Sequence, residues 1–142
     1  MEAWVKSETI QACAKKHLVI PTKKKLTPNQ LSTGLFAWKV VKHTKSNAIV
    51  VAKNNKIISI SGGQTSRVDA TKIAFEKTKI PKGCVVASDA FFPFKDSIEK
   101  MAQYKIAAII QPGGSIRDRE VVESCNKNKI AMAFTGFRVF KH

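Results

Sequence analysis

Residues 84–110, CVVASDAFFPFKDSIEKMAQYKIAAII, contain the pattern that decides the fold. An apolar strand, Cys84–Ala87, is followed by a polar loop, a helix predicted over Asp96–Tyr104, and a second apolar strand, Ile106–Ile110. A helical crossover between two short buried strands is typical of parallel pairing. The stretch therefore predicts one strand–helix–strand unit of an α/β domain.

Elements of the same kind follow and precede this unit. Downstream, Asp118–Lys127 has the apolar spacing of a helix, and Ile130–Phe134 that of a buried strand. Upstream, Val68–Lys79 is predicted to be a helix. The chain is therefore expected to contain three helix–strand pairs after residue 67.

An earlier helix has a well-marked start. Thr27 is a good N-cap, Pro28 suits the first helical position, and Gln30 completes a capping box. Leu26 and Leu31 are spaced to form a hydrophobic staple. We expect this helix to run to about Lys45.

Two β-branched runs, Ala48–Ala52 and Lys56–Ile60, surround Asn54-Asn55, which is typical of a tight hairpin turn. A hairpin ahead of three helix–strand pairs predicts a three-layer α/β/α sandwich with a mixed, mostly parallel sheet. Residues 27–142 are expected to form this domain. Residues 1–26 are expected to be an N-terminal extension, part of which packs on the domain.

Composition excludes several classes of protein. The 142 residues, 44% of them hydrophobic, suit one globular domain. No stretch approaches the roughly 18 apolar residues of a membrane span, and the N-terminus lacks the apolar core of a signal peptide. Three widely spaced cysteines, Cys13, Cys84 and Cys125, favour reduced thiols over a disulfide or metal framework. We expect a cytoplasmic protein without a membrane partner.

The net charge of +15 is distributed unevenly. From Thr9 to Val68 there is no Asp or Glu, but there are eleven Lys or Arg residues. Such a surface attracts phosphate, nucleic acid or other polyanions. The alternative is a lysine-rich composition spread over solvated faces.

Four predicted strands run directly into loops of unusual composition: Ser61–Arg67, Ser88–Asp96, Gln111–Asp118 and Thr135–Phe140. Open α/β sheets bind ligands beyond the carboxyl ends of their strands. Four such loops at one edge predict a site for a flat, anionic small molecule.

The loops carry suitable groups for such a ligand. Gly-Gly pairs in the first and third loops let backbone N–H groups approach an anion, with an ordinary strand-to-helix turn as the alternative for the first. Phe91, Phe92 and Phe94 suit either a heterocycle or the core. Asp89 and Asp96 are placed to accept from an amine or amide.

Basic and imidazole groups add two further candidates. Arg138 offers a bidentate grip on phosphate, with Phe140 beside it for stacking. Lys42-His43 suits acid–base work, although its place at the end of an amphipathic helix favours a structural role. The other histidines, His17 and His142, read as exposed, so no zinc site is expected.

These loops carry the resemblance to a known family. From about Val19 to His142 the chain resembles the C-terminal half of the AICAR transformylase domain of bifunctional purine biosynthesis proteins. The matching segments are Leu35-Phe36-Ala37-Trp38-Lys39-Val40-Val41-Lys42-His43, Lys45-Ser46-Asn47-Ala48, Gly63-Gln64-Thr65-Ser66-Arg67-Val68, Ser88–Asp96, Gln111–Asp118 and Phe137-Arg138-Val139-Phe140.

The resemblance implies a cytidine-deaminase-like fold and formyl transfer from 10-formyltetrahydrofolate to the 5-amino group of AICAR, without a metal. The resemblance covers neither the cyclohydrolase domain nor the first transformylase half of the family. Activity is therefore expected to need a complementary first-half protein or self-assembly into a homo-oligomer.

The resemblance also implies roles for single residues. Those expected to bind AICAR are Asn47, Phe91, Asp96, Arg138 and Phe140. Those expected to contact the folate are Arg67, Val68, Pro93 and Ser97, the last of which is Asn in some family members. The family's catalytic Lys-His pair lies in the first transformylase half. Lys42 and His43 resemble it only because the two deaminase-like halves are pseudo-repeats of each other.

Two other functions are compatible with the sequence. One is a noncatalytic nucleotide-binding or regulatory module that has kept the pocket. The other is an RNA-binding protein, suggested by the acid-free first half but without a nucleic-acid motif.

Overall fold

The computed structural model describes residues 18–136 of the chain. In this part, the helices and strands follow the expected order, with boundaries shifted by a few residues. The helices are α1 (Pro28–Lys42), α2 (Arg67–Glu76), α3 (Lys95–Ala102) and α4 (Asp118–Lys127), and the strands are β1 (Ile49–Lys53), β2 (Lys56–Ser61), β3 (Val85–Ser88), β4 (Ala108–Gln111) and β5 (Ala131–Phe134).

The five strands form one mixed sheet in the order β2-β1-β3-β4-β5. Strand β1 is antiparallel to both of its neighbours, whereas β3, β4 and β5 run parallel. Ile49, the first residue of β1, pairs with Ser61 at the end of β2 and with Ser88 at the end of β3. The α1–β1 connection therefore lies at the same sheet edge as the loops that follow the other strands.

The sheet has a helical layer on each face, as the alternation of side chains along a strand requires. Ile49 and Val51 of β1 belong to the core cluster that contains the inward residues of α2, α3 and α4. Val50 and Ala52 belong to the cluster beneath α1, which includes the fully buried Trp38. The predicted three-layer α/β/α sandwich with a mixed sheet is confirmed.

Helix α1 begins as its sequence indicates. Thr27 Oγ1 accepts from the Gln30 amide at 3.1 Å, and Gln30 Oε1 accepts from the Thr27 amide at 3.0 Å. The helix ends at Lys42 rather than Lys45, because the amides of His43 and Thr44 turn back to Val40 and Val41 carbonyls. Residues 43–48 then connect α1 to β1, so the C-terminal end of α1 lies near the sheet edge that carries the loops.

Local signals also explain the hairpin and α2. Asn54 and Asn55 adopt φ values of 50° and 59°, as a type I′ turn requires. Ser66 caps α2 by accepting from the Asp69 amide at 3.0 Å. This helix stops at Glu76, short of the expected Lys79, and exposed residues lead from it toward Pro81.

Residues 18–26 pack against the domain. Val19 forms a bridge to Phe134, with N···O distances of 3.0 and 2.7 Å, beside the outer edge of β5. Leu18, Ile20 and Leu26 contact the core cluster beneath α1. The expected start of the domain at residue 27 stays a prediction.

Within residues 18–136, no helix has the length and apolarity that a bilayer crossing demands. The two cysteines in this part of the chain, Cys84 and Cys125, are buried free thiols. Both contribute to the core cluster between the sheet and α2–α4.

Burial of Cys125 predicts a loss of stability at alkaline pH. Desolvation raises the pKa of this thiol from 9.0 to about 12. The unfolded chain therefore releases the proton first, and stability falls as the pH rises above 9.0 toward 12. At pH 10 we expect about 1.4 kcal/mol of this loss.

Urea unfolding between pH 8 and pH 11 measures this effect when the wild type is compared with Cys125→Ala. The variant starts less stable, but its stability should fall less steeply with pH. If the stability of the two proteins fell equally with pH, the prediction would be contradicted. The thiol would then stay protonated in both the folded and the unfolded state, or ionise equally in both.

Candidate functional site

A buried ion pair links three segments at the loop-bearing edge of the sheet. Arg67, the first residue of α2, and Asp89, which follows β3, approach to 2.6 Å between Nη2 and Oδ1. Their side chains are 5% and 0% exposed. The pair therefore joins the start of α2 to the loop that follows the central strand β3.

The segment before β1 supplies the remaining partners. Arg67 Nη1 donates to the Ala48 carbonyl at 2.9 Å, and Nη2 donates to Asn47 Oδ1 at 3.0 Å. Asp89 accepts from Ser46 Oγ at 2.6 Å and from the Ala48 amide at 3.3 Å. Burial lowers the pKa of Arg67, and the Asp89 carboxylate opposes that shift.

Asn47 is held from two sides. Its Nδ2 donates to the Gln64 carbonyl at 2.9 Å, and its backbone amide donates to the same oxygen at 3.1 Å. Its Oδ1 faces the guanidinium of Arg67. The amide of a predicted nucleotide-binding residue thus has a defined orientation.

A cavity of about 270 Å³ opens between the first turns of α2 and α3. Its lining includes three of the residues expected to contact ligands, Val68, Asp96 and Ser97, together with Thr71 and Lys100. Val68 is 49% exposed. The structure therefore brings two expected folate contacts and one expected nucleotide contact to one opening.

The three phenylalanines after β3 have different environments. Phe92 is fully buried, and its amide donates to Gln111 Oε1 at 3.1 Å. Phe94 is 47% exposed, with the Arg117 guanidinium 5.0 Å from its ring centroid. Phe91 and Pro93 are half-buried. One ring fills the core, as the alternative for this loop anticipated.

The backbone amides of the two glycine-rich loops do not have the role expected for them. The amides of Gly114 and Ser115 donate to the carboxylate of Asp118, at 2.7 and 3.2 Å. The amide of Gly63 donates to the Lys45 carbonyl at 2.6 Å. The expectation that these N–H groups face a ligand is wrong here, because the protein itself supplies their acceptors.

Lys42 and His43 lie at the C-terminal end of α1, on the same edge of the sheet. Lys42 is half-buried, and His43 is exposed and forms the C-cap of the helix. Arg138 and Phe140 lie outside the described residues, as do His17 and His142. Their expected roles, and those of the cavity residues, stay predictions.

The sequence did not reveal that Arg67 and Asp89 are partners. Asp89 was expected to accept from a ligand amine or amide, and Arg67 to contact the folate. The one indication in the sequence was Asp89 itself, a single acidic residue placed directly after a buried strand. Within residues 18–136, no three His, Cys, Asp or Glu side chains group as a metal site would require.

Comparison with known proteins gives a consistent result. Residues 3–77 match the family described as AICARFT/IMPCHase bienzyme. The chain is 57% identical over 129 residues to the bifunctional purine biosynthesis protein PurH of Aquifex aeolicus, covering 88% of this chain and 26% of that protein.

Two further relatives of the same name are as similar. The protein of Petrotoga mobilis is 60% identical over 108 residues, covering 76% of this chain and 21% of the relative. That of Acetivibrio thermocellus is 56% identical over 126 residues, covering 88% and 24%. The chain thus spans about a quarter of the length of these relatives.

Proposed function

Because the chain belongs to the AICARFT/IMPCHase bienzyme family, we propose that it is half of an AICAR formyltransferase domain acting in purine biosynthesis. Its reaction is the transfer of a formyl group from 10-formyltetrahydrofolate to the 5-amino group of AICAR. Neither a regulatory module nor an RNA-binding protein is favoured by the family match.

One observation carries this proposal. The anchored amide of Asn47, just before β1, and the cavity between the first turns of α2 and α3 both lie toward the sheet edge at which β2 and β3 end. That edge is where open α/β sheets bind nucleotides. A nucleotide at Asn47 and a folate at the cavity would be adjacent, as group transfer requires.

The proposed roles follow the resemblance, with one change for Arg67. Asn47, Phe91 and Asp96 take the nucleotide with Arg138 and Phe140, whereas Val68, Pro93 and Ser97 take the folate. Arg67 precedes Val68 of the proposed folate site, but its terminal nitrogens are bound to protein acceptors. We therefore assign its guanidinium to the organisation of the site.

In the reaction, the 5-amino nitrogen forms a bond to the formyl carbon and loses a proton, while N10 of the folate leaves and gains one. Lys42 and His43 are the acid–base candidates on this edge of the sheet. A second half, from another protein or a second copy of this chain, is proposed to complete the site. The protein is proposed to act in the cytoplasm without a resident metal.

Ligand binding by the full chain tests the proposal. We expect AICAR and a folate to bind, and Asp96→Asn to weaken at least one of them about tenfold by removing a charge at the cavity. Isothermal titration with each ligand measures this. Glu99→Gln is the matched control, since Glu99 is exposed on the same helix.

The alternatives are separated by further results. Formyl transfer should be slow with the monomeric chain and rise when a first-half protein is added. Nucleotide binding without any such rise would indicate the noncatalytic module. RNA binding that is steeply salt-dependent and survives Phe91→Ala would indicate the RNA-binding protein.

A further inference from the structure

We propose that the sheet edge opposite the candidate site binds a nucleic acid through its phosphate backbone. A row of lysines, one for each of the five strands, lies along that edge, and we call this row the lysine edge. In the order of the sheet its members are Lys56, Lys53, Lys82, Lys105 and Lys129. The inference goes beyond the proposed function and does not depend on it, because the two surfaces lie at opposite edges.

Strand pairing places the members of the row beside one another. Lys53 ends β1 and Lys56 begins β2, and the two are direct cross-strand partners. Lys53 Nζ donates to the Lys82 carbonyl at 2.6 Å, and the amide after Lys82 donates to the Lys105 carbonyl at 2.9 Å. Lys129 lies just before β5. Because neighbouring strands are about 4.8 Å apart, the five positions span about 19 Å.

The connections that reach this edge carry charge of one sign. Together they hold eight lysines and no Asp or Glu, over residues 53–56, 77–84, 103–107 and 127–130. The acid that adjoins them in sequence is Glu76, the last residue of α2. Four other acids lie in the first turns of α2, α3 and α4, toward the opposite edge. The lysine edge is therefore a continuous electropositive surface.

Two members of the row occupy backbone positions that suit other residues. Lys105 and Lys129 have φ values of 56° and 57°, in the left-handed region that favours Gly or Asn. After α4, the amides of Lys129 and Ile130 donate to the carbonyls of Asn126 and Cys125. This is the Schellman pattern, in which the left-handed residue is usually glycine. Helix termination alone therefore does not explain lysine at these positions.

The cross-strand pair adds an electrostatic cost. Like charges directly opposite each other on paired strands destabilise a sheet, and Lys53 and Lys56 are such a pair. Helix dipoles attract cations to helix C-termini, but these two lysines and Lys82 lie outside the last helical turns. An anion bound along the row would relieve the repulsion.

The composition of the edge favours a nucleic acid over a protein or a membrane. The large apolar side chains exposed in residues 18–136 are Val19, Val68, Ile73, Phe94 and Ile116, and none of them lies in these connections. A protein interface has an apolar core, and a peripheral membrane site has an apolar anchor. Binding to a phosphate backbone needs cations alone. Without an exposed aromatic ring in these connections to stack on bases, the contacts are to phosphates and independent of sequence.

Fluorescence anisotropy with a labelled oligouridine of about 20 nucleotides tests the inference on the full chain. We expect wild-type binding to weaken steeply between about 50 and 200 mM salt. Lys105→Asn combined with Lys129→Asn should weaken binding about tenfold at low salt. It should also reduce the slope of log K against log salt by about 1.4, because two phosphate contacts are lost.

The matched control is Lys95→Gln combined with Arg119→Gln, which removes two exposed charges away from the lysine edge. It should leave the salt slope nearly unchanged. Lys56→Gln combined with Lys82→Gln removes two charges from the other part of the row, and it should reduce the slope as much as the asparagine variant does.

The stability of the asparagine variant is a second readout. Asparagine adopts positive φ more readily than lysine, so the variant should be at least as stable as the wild type to urea while its nucleic-acid binding falls. A marked loss of stability would show that Lys105 and Lys129 serve the fold, and would overturn the inference.

Three further results would also overturn it. These are no binding of oligouridine by the wild type at about 50 mM salt, an unchanged salt slope in both lysine-edge variants, and competition by polyaspartate as strong as that by RNA of equal charge. The last would indicate an acidic protein as the partner.

AICAR binding and formyl transfer separate this inference from the proposed function and from the RNA-binding alternative. The lysine-edge variants should leave AICAR affinity unchanged. RNA binding that needs the lysines, in a chain that also transfers formyl groups with a first-half protein, supports both proposals. The same RNA binding in a chain that neither binds AICAR nor transfers formyl groups would leave the inference standing and remove the proposed function.

Discussion

Replacement of Asp89 by alanine is expected to lower the free energy of unfolding by about 3–5 kcal/mol, since it leaves the buried guanidinium of Arg67 without its counter-charge. The loss is large beside a total stability of about 5–15 kcal/mol for a domain. It also removes acceptors for Ser46 and for the Ala48 amide. Urea unfolding with a shared m-value measures the change.

Two comparisons separate the buried pair from a general effect of losing an acid. Glu123→Ala breaks the exposed Arg119–Glu123 pair and should cost only about 0–1 kcal/mol. The double variant Arg67→Met, Asp89→Leu leaves no unpaired charge and should recover much of the loss. If Asp89→Ala cost no more than Glu123→Ala, the ion pair would not stabilise this edge of the sheet.

Replacement of Gly34 by valine is expected to destabilise the chain by about 3 kcal/mol through overpacking. A Cβ at Gly34 would lie 2.6 Å from Cγ1 and 2.8 Å from Cδ1 of Ile110 on β4. Even alanine should destabilise here, although Gly-to-Ala inside a helix ordinarily gains about 1 kcal/mol. Thermal and urea unfolding give the sign and the size.

Ser32→Val on the exposed side of α1 is the control for valine in this helix. It should cost about 1 kcal/mol or less, because it adds the propensity cost of valine to the loss of one exposed hydrogen bond, from Ser32 Oγ to Asn55 Oδ1. A double-mutant cycle of Gly34→Val with Ile110→Ala tests the contact itself. The pair should cost less than the sum of the single changes, because each is made at one shared contact. Strict additivity would place the loss elsewhere.

The local elements were predictable because their causes are local. Thr27 and Gln30 cap each other within one turn, and Asn54-Asn55 supply the positive φ values of the hairpin turn. Helix ends were less predictable, as α1 shows by stopping at Lys42. There the end depends on the loop that must return the chain to the sheet.

The gathering of the loops at one edge of the sheet was predictable, whereas the hydrogen-bond partners of the loop groups were less so. Loops after apolar strands indicated the edge, because parallel strands end together. The predicted ligand contacts of the Gly63 and Gly114 amides were wrong, since Lys45 and Asp118 supply their acceptors. A sequence shows that a loop has donors, but not whether a neighbouring segment already binds them.

The amino-acid sequence alone determined the order of helices and strands, the layered architecture and the family. Only the tertiary structure decided that Arg67 pairs with Asp89 and holds Asn47, and that α1 approaches β4 closely enough to require glycine at position 34. The physical reason is the distance along the chain over which each interaction acts. Capping and periodicity act within a few residues, whereas the partners of a buried charge are chosen by the sheet that brings distant segments together.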